Sequence, residues 1–252
     1  MRDGNSVQSV DRALDLLELM AAAGGTLGLS ELAARSGLPL PTIHRLVRTM
    51  VNRGYLRQDP SRRYALGPRL IPLGDTAGRM LGTWARPYLE ALVQQVGETA
   101  NLAMLEGDSV VYVAQVPSPH SMRMFTEVGR RVLPHSTGVG KALLSTLPAA
   151  EVGQILRRTG MPAQTEKTIT SPEDMLAELG RIRERGYAID DGEQEMGVRC
   201  VAVPLGDAPL PVAISVSGPS GRLTSDRVGD VGRLLLHSAS ELAAALRAES
   251  PT

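Results

Sequence analysis

Between residues 45 and 63 the chain carries six arginines, Arg45, Arg48, Arg53, Arg57, Arg62 and Arg63, against the single acid Asp59. A guanidinium can bond guanine N7 and O6 together or neutralise a phosphate, so a cluster of this density suits duplex DNA. The excess is local: the whole sequence is neutral, with 27 basic and 27 acidic residues, whereas residues 1–68 hold nine arginines against six acids, a net +3. Because affinity for a duplex comes largely from neutralised phosphates, that local balance matters more than the neutral total. A second group of chemically capable residues is scattered downstream. His135, Asp190 and the lone Cys200 are the residue types of a thiol hydrolase. HSTGVGKAL places a Gly-bearing turn directly before a helix, so the amides of Gly138 and Val139 lack intrahelical partners and carry the positive end of the helix dipole, a seat for a carboxylate.

The arginines need a scaffold, and the surrounding pattern supplies one. Ser30 is placed to cap a short helix Glu31–Arg35, Gly37 suits a left-handed exit, and a sharp turn spans Ser36–Leu40. Ile43, Leu46, Val47 and Met50 then recur at i, i+3, i+4 and i+7, one apolar side of a helix. Pro41, His44, Arg45, Arg48 and Asn52 fall opposite, which is the profile of a recognition helix. Gly54 ends it, and strands Tyr55–Gln58 and Arg63–Leu66 around Asp59-Pro60-Ser61-Arg62 read as a basic-tipped wing. Upstream, Val10, Ala13, Leu14 and Leu17 follow the capping residue Ser9 and predict a first helix over Val10–Ala22. Residues 5–68 thus read as a winged helix-turn-helix. Arg45 and Arg48 are expected at base edges, Thr42 at a phosphate, and Arg62 and Arg63 on backbone or minor groove unless one pairs with an acid of its own fold. His44 reads equally as a base contact or as a surface or packing histidine.

Beyond Gly67-Pro68, Arg69–Gly82 and Thr83–Val96 read as helices, and Leu70, Leu73, Ala77 and Leu81 form a stripe that a partner chain could cover. Strands are expected at Ala100–Leu105, Val110–Gln115 and Met122–Glu127, then at Tyr187–Asp190, Arg199–Pro204 and Val212–Val216. Helices are expected at Gly138–Leu144, Glu151–Arg158, Pro172–Arg185 and Ser225–Arg247, making an α+β domain. Asp190 ends one strand, Cys200 begins another, and Ser215 and Ser217 alternate on a third so that both face one side, an arrangement suited to a small polar ligand. A hydrolase reading is weaker: Cys200 lies within a strand pattern instead of at an exposed strand-to-helix turn, and a nearby Asp190 would raise the thiol pKa. The four histidines form no metal-ligand spacing, so neither a metal nor another cofactor is expected. One cysteine precludes an intramolecular disulfide, no apolar run approaches the roughly 20 residues of a membrane span, and no targeting signal is visible, so a cytoplasmic protein without membrane contact is expected.

The stretches SVQSVDRALDLLELM, LSELAARSGLPLPTIHRLVRTMVNRGYLRQ and YALGPRLIPLG resemble the amino-terminal domain and linker of the IclR family of bacterial transcriptional regulators. RVLPHSTGVGKALLS, AIDDGEQEMGVRCVAVPL and VAISVSGPSGRLT extend the resemblance over nearly the whole chain. It implies a DNA-binding domain over 5–68, a linker helix over 69–82, and a GAF-like effector-binding and oligomerisation domain over 83–252. It also implies operator DNA as partner, and homodimers commonly paired into tetramers. By the same resemblance Asp190, Cys200, Ser215, Ser217 and the Gly138–Val139 amides match positions that hold small oxo acids, with Met124 and Leu133 matching apolar wall positions. The function implied is repression of a catabolic operon, released by a glyoxylate- or pyruvate-like acid; activation in response to an aromatic acid is the alternative. With Phe125 as the one aromatic in these motifs, ring stacking is disfavoured. One departure is that Pro39 and Pro41 both stand at the start of the recognition helix.

Overall fold

A computed structural model describes residues 7–74, 76, 84–124, 126–206, 208 and 210–249. The chain divides into two compact units, Met1–Ala77 and Gly78–Thr252. In the first, α1 (Gln8–Ala22), α2 (Leu29–Ser36) and α3 (Leu40–Asn52) enclose a core of Leu16, Met20, Leu32, Ile43, Val47 and Met50. The apolar spacing read from the sequence is the spacing that is buried. Three short strands complete the unit: β1 (Thr26–Leu27), β2 (Leu56–Gln58) and β3 (Tyr64–Leu66), in the order β1-β3-β2 and all antiparallel. β1 escaped the sequence reading because two residues carry no alternation.

The helix starts differ from expectation. Ser30 lies inside α2, and Gly28 occupies the cap position with its amide donating to Glu31 Oε2 at 2.7 Å, so the carboxylate of the first turn does the capping. Ser9 likewise lies inside α1, behind Val7. Gly37 does adopt the left-handed exit, with φ 67°. At α3, Pro39 takes the cap position with no side-chain cap bond and Pro41 falls within the first turn, where its missing N–H costs no helical hydrogen bond. Residues 70–74 are helical, while most of the remaining linker stripe, including Ala77 and Leu81, lies outside the described residues.

The second unit is built on a six-stranded antiparallel sheet in the order β6-β5-β4-β9-β8-β7. Its strands are β4 (Thr99–Glu106), β5 (Ser109–Val116), β6 (Arg131–Val132), β7 (Ala188–Asp191), β8 (Val198–Pro204) and β9 (Val212–Pro219). Residues 122–124 and 126–127, read as strand from the sequence, are not strand; the edge position belongs to Arg131–Val132 instead. One face packs on α4 (Arg86–Val96) and α8 (Val228–Glu249) through Leu89, Leu92, Leu102, Ile214, Val216 and Leu235. The other carries the small residues Ala103, Ala202 and Ala213 beneath α5 (Gly138–Ser145), α6 (Ala149–Thr159) and α7 (Pro172–Arg185). α5 is buried along its whole length, which explains why its sequence is almost entirely small and apolar.

Candidate functional site

On α3, His44, Arg45 and Arg48 are exposed on the side away from the buried Ile43, Val47 and Met50. Thr42 is half-buried in the first turn. Together with Arg45, Thr42 also borders a groove of about 890 Å³ between α1, α3 and residues 70–73, lined by Val10, Leu14, Leu17 and Leu46. In the wing, Asp59 Oδ1 accepts from Ser61 Oγ at 2.6 Å and from the Arg63 amide at 2.9 Å, closing the hairpin. That closure places Arg62 at the tip with φ 63°, a left-handed conformation that costs a non-glycine residue roughly 1–2 kcal/mol. Arg63 behaves otherwise: its Nη2 lies 2.9 Å from Glu31 Oε2 and donates to the Thr26 carbonyl at 3.3 Å. It therefore braces the wing against α2, the own-fold pairing that the sequence reading left open for one of the two arginines. The exposed Arg57, alternating with the buried Leu56 on β2, sits on the outer face of the wing and was not singled out from the sequence, although that alternation carried the signal.

In the second unit the effector candidates meet on one sheet face. Cross-strand register aligns Asp190, Cys200, Ser217 and Thr99 in one row over β7, β8, β9 and β4; the next row aligns Ala188, Ala202, Ser215, Asn101 and Gln115. All of these are buried apart from Gln115. The start of α5 presses on the same spot: a Cβ added to Gly138 would lie 2.8 Å from Cys200 Sγ and 3.6 Å from the Ala202 Cβ. Thr137 caps α5 by accepting from the Gly140 amide at 3.2 Å, and among the described residues no acceptor engages the amides of Gly138 and Val139. Met124 and Leu133 are half-buried and frame the rows through their carbonyls, which accept from Thr99 Oγ1 at 3.1 Å and Thr137 Oγ1 at 3.3 Å.

Burial shifts the proton affinity of Cys200, Asp190, Glu193 and His135. Burial, reinforced by Asp190, pushes the Cys200 thiol up to about 12 against the opposing pull of the Ser217 and Ser215 hydroxyls, which disfavours the thiolate that nucleophilic attack needs. Asp190 is raised by burial, although its Oδ1 accepts from the amides of Glu193 at 2.7 Å and Gln194 at 3.4 Å. Behind the site, the buried Lys141 of α5 forms an ion pair with Glu193. Burial raises the Glu193 carboxyl more than this lysine lowers it. His135 is lowered, chiefly by burial; its Nε2 bonds the Pro162 carbonyl at 3.1 Å while its Nδ1 has no partner. Ser136 Oγ donates to Gln194 Oε1 at 2.7 Å, so with the Lys141–Glu193 pair two bonds tie the β7–β8 turn to α5 and the residues just before it.

The structure adds residues that the sequence reading missed. Thr99 and Asn101 belong to the polar rows. Tyr112 packs in one cluster with Cys200 and Val139, and its phenol is held protonated by burial and by the neighbouring Cys200 and Asp190. This corrects the expectation that Phe125 is the one aromatic near these motifs; Phe125 itself lies outside the described residues. Among the described residues no cluster of three His, Cys, Asp or Glu side chains is arranged for a metal ion, and no helix is long and apolar enough to cross a membrane.

A winged helix-turn-helix joined to an α+β unit defines a two-domain transcriptional regulator. Residues 9–60 match the IclR helix-turn-helix domain and residues 77–244 match the bacterial transcriptional regulator IclR C-terminal domain. The chain belongs to the IclR family of bacterial transcriptional regulators. It is 37% identical over 244 residues to the transcriptional repressor IclR of Escherichia coli K12, covering 94% of this chain and 89% of that one. Among solved structures, an IclR regulator from Alicyclobacillus acidocaldarius superposes with a TM-score of 0.85 at 29% identity, over 95% of this chain and 98% of that one. An IclR homologue from Microbacterium hydrocarbonoxydans complexed with 4-hydroxybenzoate gives 0.81 at 26% identity, over 96% and 100%.

Proposed function

We propose that this protein is a cytoplasmic repressor of a catabolic operon, released from its operator when a small carboxylic or oxo acid occupies the second domain. The observation that carries this reading is the convergence of the unbonded Gly138 and Val139 amides with Ser215, Ser217, Cys200 and Asp190 in a buried site. The amides seat the carboxylate, the serines and thiol surround its substituent, and Met124 and Leu133 wall it. On the DNA side, Arg45, Arg48 and His44 face the major groove, Thr42 meets a phosphate, and Arg62 with Arg57 follows the backbone beside the wing. The domains divide at residues 5–68, 69–82 and 83–252, and a homodimer, paired again into a tetramer, fits a two-fold operator. Val10 and Leu14 on the α1 side of the groove are each 52% exposed and Leu73 is 53% exposed, a surface suited to a second copy of the chain. If acid binding favours the non-binding arrangement by about 1–3 kcal/mol, operator affinity falls roughly 5- to 150-fold.

Calorimetric titration with glyoxylate and pyruvate, followed by operator gel shifts with and without the acid, tests the reading. Asp190→Ala combined with Ser217→Ala should abolish acid binding and leave the shift; Arg45→Ala combined with Arg48→Ala should do the reverse. Failure of both acids to bind, or binding that survives the first pair, rejects it. A second reading, an aromatic acid as effector, is favoured by the placement of Tyr112 and by the 4-hydroxybenzoate bound to the Microbacterium relative. It is tested by titration with that compound in the wild type and in Tyr112→Leu.

A further inference from the structure

Resting on the reading above of the second-domain site as one for a small acid, we propose that Asn101 is its specificity-determining positioning residue. Held by Gln115, its amide commits the Ser215 hydroxyl to donate, so the site selects a 2-oxo acid over the 2-hydroxy acid of the same shape. Asn101 lies on the interior strand β4, paired with Gln115 of β5 on one side and Ser215 of β9 on the other, and its side chain serves the buried face. It is fully buried, an environment in which an unpaired amide is costly. Gln115 Nε2 donates to Asn101 Oδ1 at 3.1 Å, which turns the carbonyl end of the amide toward β5 and the NH2 end toward β9. Asn101 Nδ2 then donates to Ser215 Oγ at 3.4 Å.

A serine hydroxyl has one proton and two lone pairs. With a lone pair already engaged by Asn101, the Ser215 proton is directed away from β4, toward the side where Cys200 and the start of α5 lie. Gln115, Asn101, Ser215 and Ala202 share one register row, so the donation runs in one direction across three strands and ends beside Gly138. An oxo oxygen, which only accepts, completes that chain. The hydroxyl of a 2-hydroxy acid can accept the same proton but brings one of its own, which needs a further acceptor that the oxo acid does not.

The test is isothermal titration of the full chain with pyruvate and with both enantiomers of lactate. The wild type is expected to bind pyruvate about tenfold more tightly, the scale of one hydrogen bond gained or lost. Asn101→Asp preserves shape but can only accept from Ser215, turning that hydroxyl round, and should erase or invert the preference; Asn101→Leu should bring the ratio to within about twofold of unity. Wild-type ratios in both variants overturn the proposal. If neither variant folds, as judged by the fluorescence of Trp84, Ser215→Ala must erase the preference, and its persistence there overturns the proposal equally. Ser217→Ala separates the two levels: undiminished pyruvate binding in that variant rejects the small-acid site itself, as does a wild type that binds none of the three probes.

Discussion

Replacing Lys141 with methionine is the sharpest test of how the second domain is held together. The lysine side chain is 1% exposed and its partner Glu193 11% exposed, so the substitution preserves length and leaves a carboxylate buried with no cation. Its Oε2 already lacks a hydrogen-bond partner. Removing one member of a buried pair typically costs about 3–5 kcal/mol because the remaining charge is uncompensated. At about 2–4 °C per kcal/mol for a domain of this size, the transition should fall by roughly 6–20 °C. The turn itself keeps other anchors, since the Glu193 carbonyl accepts from Thr168 Oγ1 at 2.6 Å and its amide donates to Asp190, so the fold should survive. The sequence has one tryptophan, Trp84, which packs against the core of the second unit, so its fluorescence during urea or thermal unfolding reports on that unit. In the variant, Glu193 binds its proton more tightly when folded than when unfolded; stability is therefore lost as pH rises above the unfolded carboxylate range and regained as pH falls toward it. The deficit should shrink at acid pH, and adding Glu193→Gln should restore most of it at neutral pH. A loss below about 1 kcal/mol, or a double variant no more stable than the single, refutes the assignment of this pair as the clasp between α5 and the β7–β8 turn.

Three further outcomes follow from the geometry. Arg62→Gly should relieve the left-handed strain and raise the stability of the first unit by about 1 kcal/mol while weakening operator binding and flattening its salt dependence; a stability gain without any loss of DNA affinity removes Arg62 from the interface. Gly138→Ala places a methyl 2.8 Å from Cys200 Sγ, so acid binding measured by calorimetry should fall at least tenfold, and unaltered affinity would show that the effector sits elsewhere. Because burial raises the Asp190 carboxyl, an incoming acid anion should be accompanied by proton uptake, with affinity declining as pH rises above the ordinary carboxylate range. Asp190→Asn should reduce that slope by more than half; an unchanged slope assigns the proton to another group.

The two units were legible in the sequence to different depths. α3 and its outward arginines could be read because a helix places its faces by a fixed rotation per residue, and no distant contact is needed to know that Ile43, Val47 and Met50 share a side. The wing was legible for a similar local reason. Where local chemistry had competing solutions the reading slipped: Ser30 and Ser9 are good caps by type, but each is the second residue of its helix, behind Gly28 and Val7. Residues 122–127 have strand-like composition but follow the loop from β5, and the edge of the sheet is taken by two residues further on.

The polar rows show why the site was only half readable. Alternation along β9 puts Ser215 and Ser217 on one side, and that is local information. Which side, and beside what, depends on β9 lying between β8 and β4, a pairing across 114 residues for Ser215 and Asn101 that no short window contains. Asn101 in NLAML and Tyr112 in VVYVAQV therefore look like ordinary strand residues until the register is known. Once it is known, their burial is hard to explain by stability, since an apolar side chain would fill either position without an amide or phenol to satisfy. The opposite face of the same strands does just that, with Ala100, Leu102, Val201, Ile214 and Val216. A sheet that is uniformly apolar on one face and carries two adjoining rows with polar side chains on the other is what the proposed small-acid site requires. The same contrast separates Arg62, held in a conformation that costs the fold, from Arg63, which repays its place through Glu31 and Thr26.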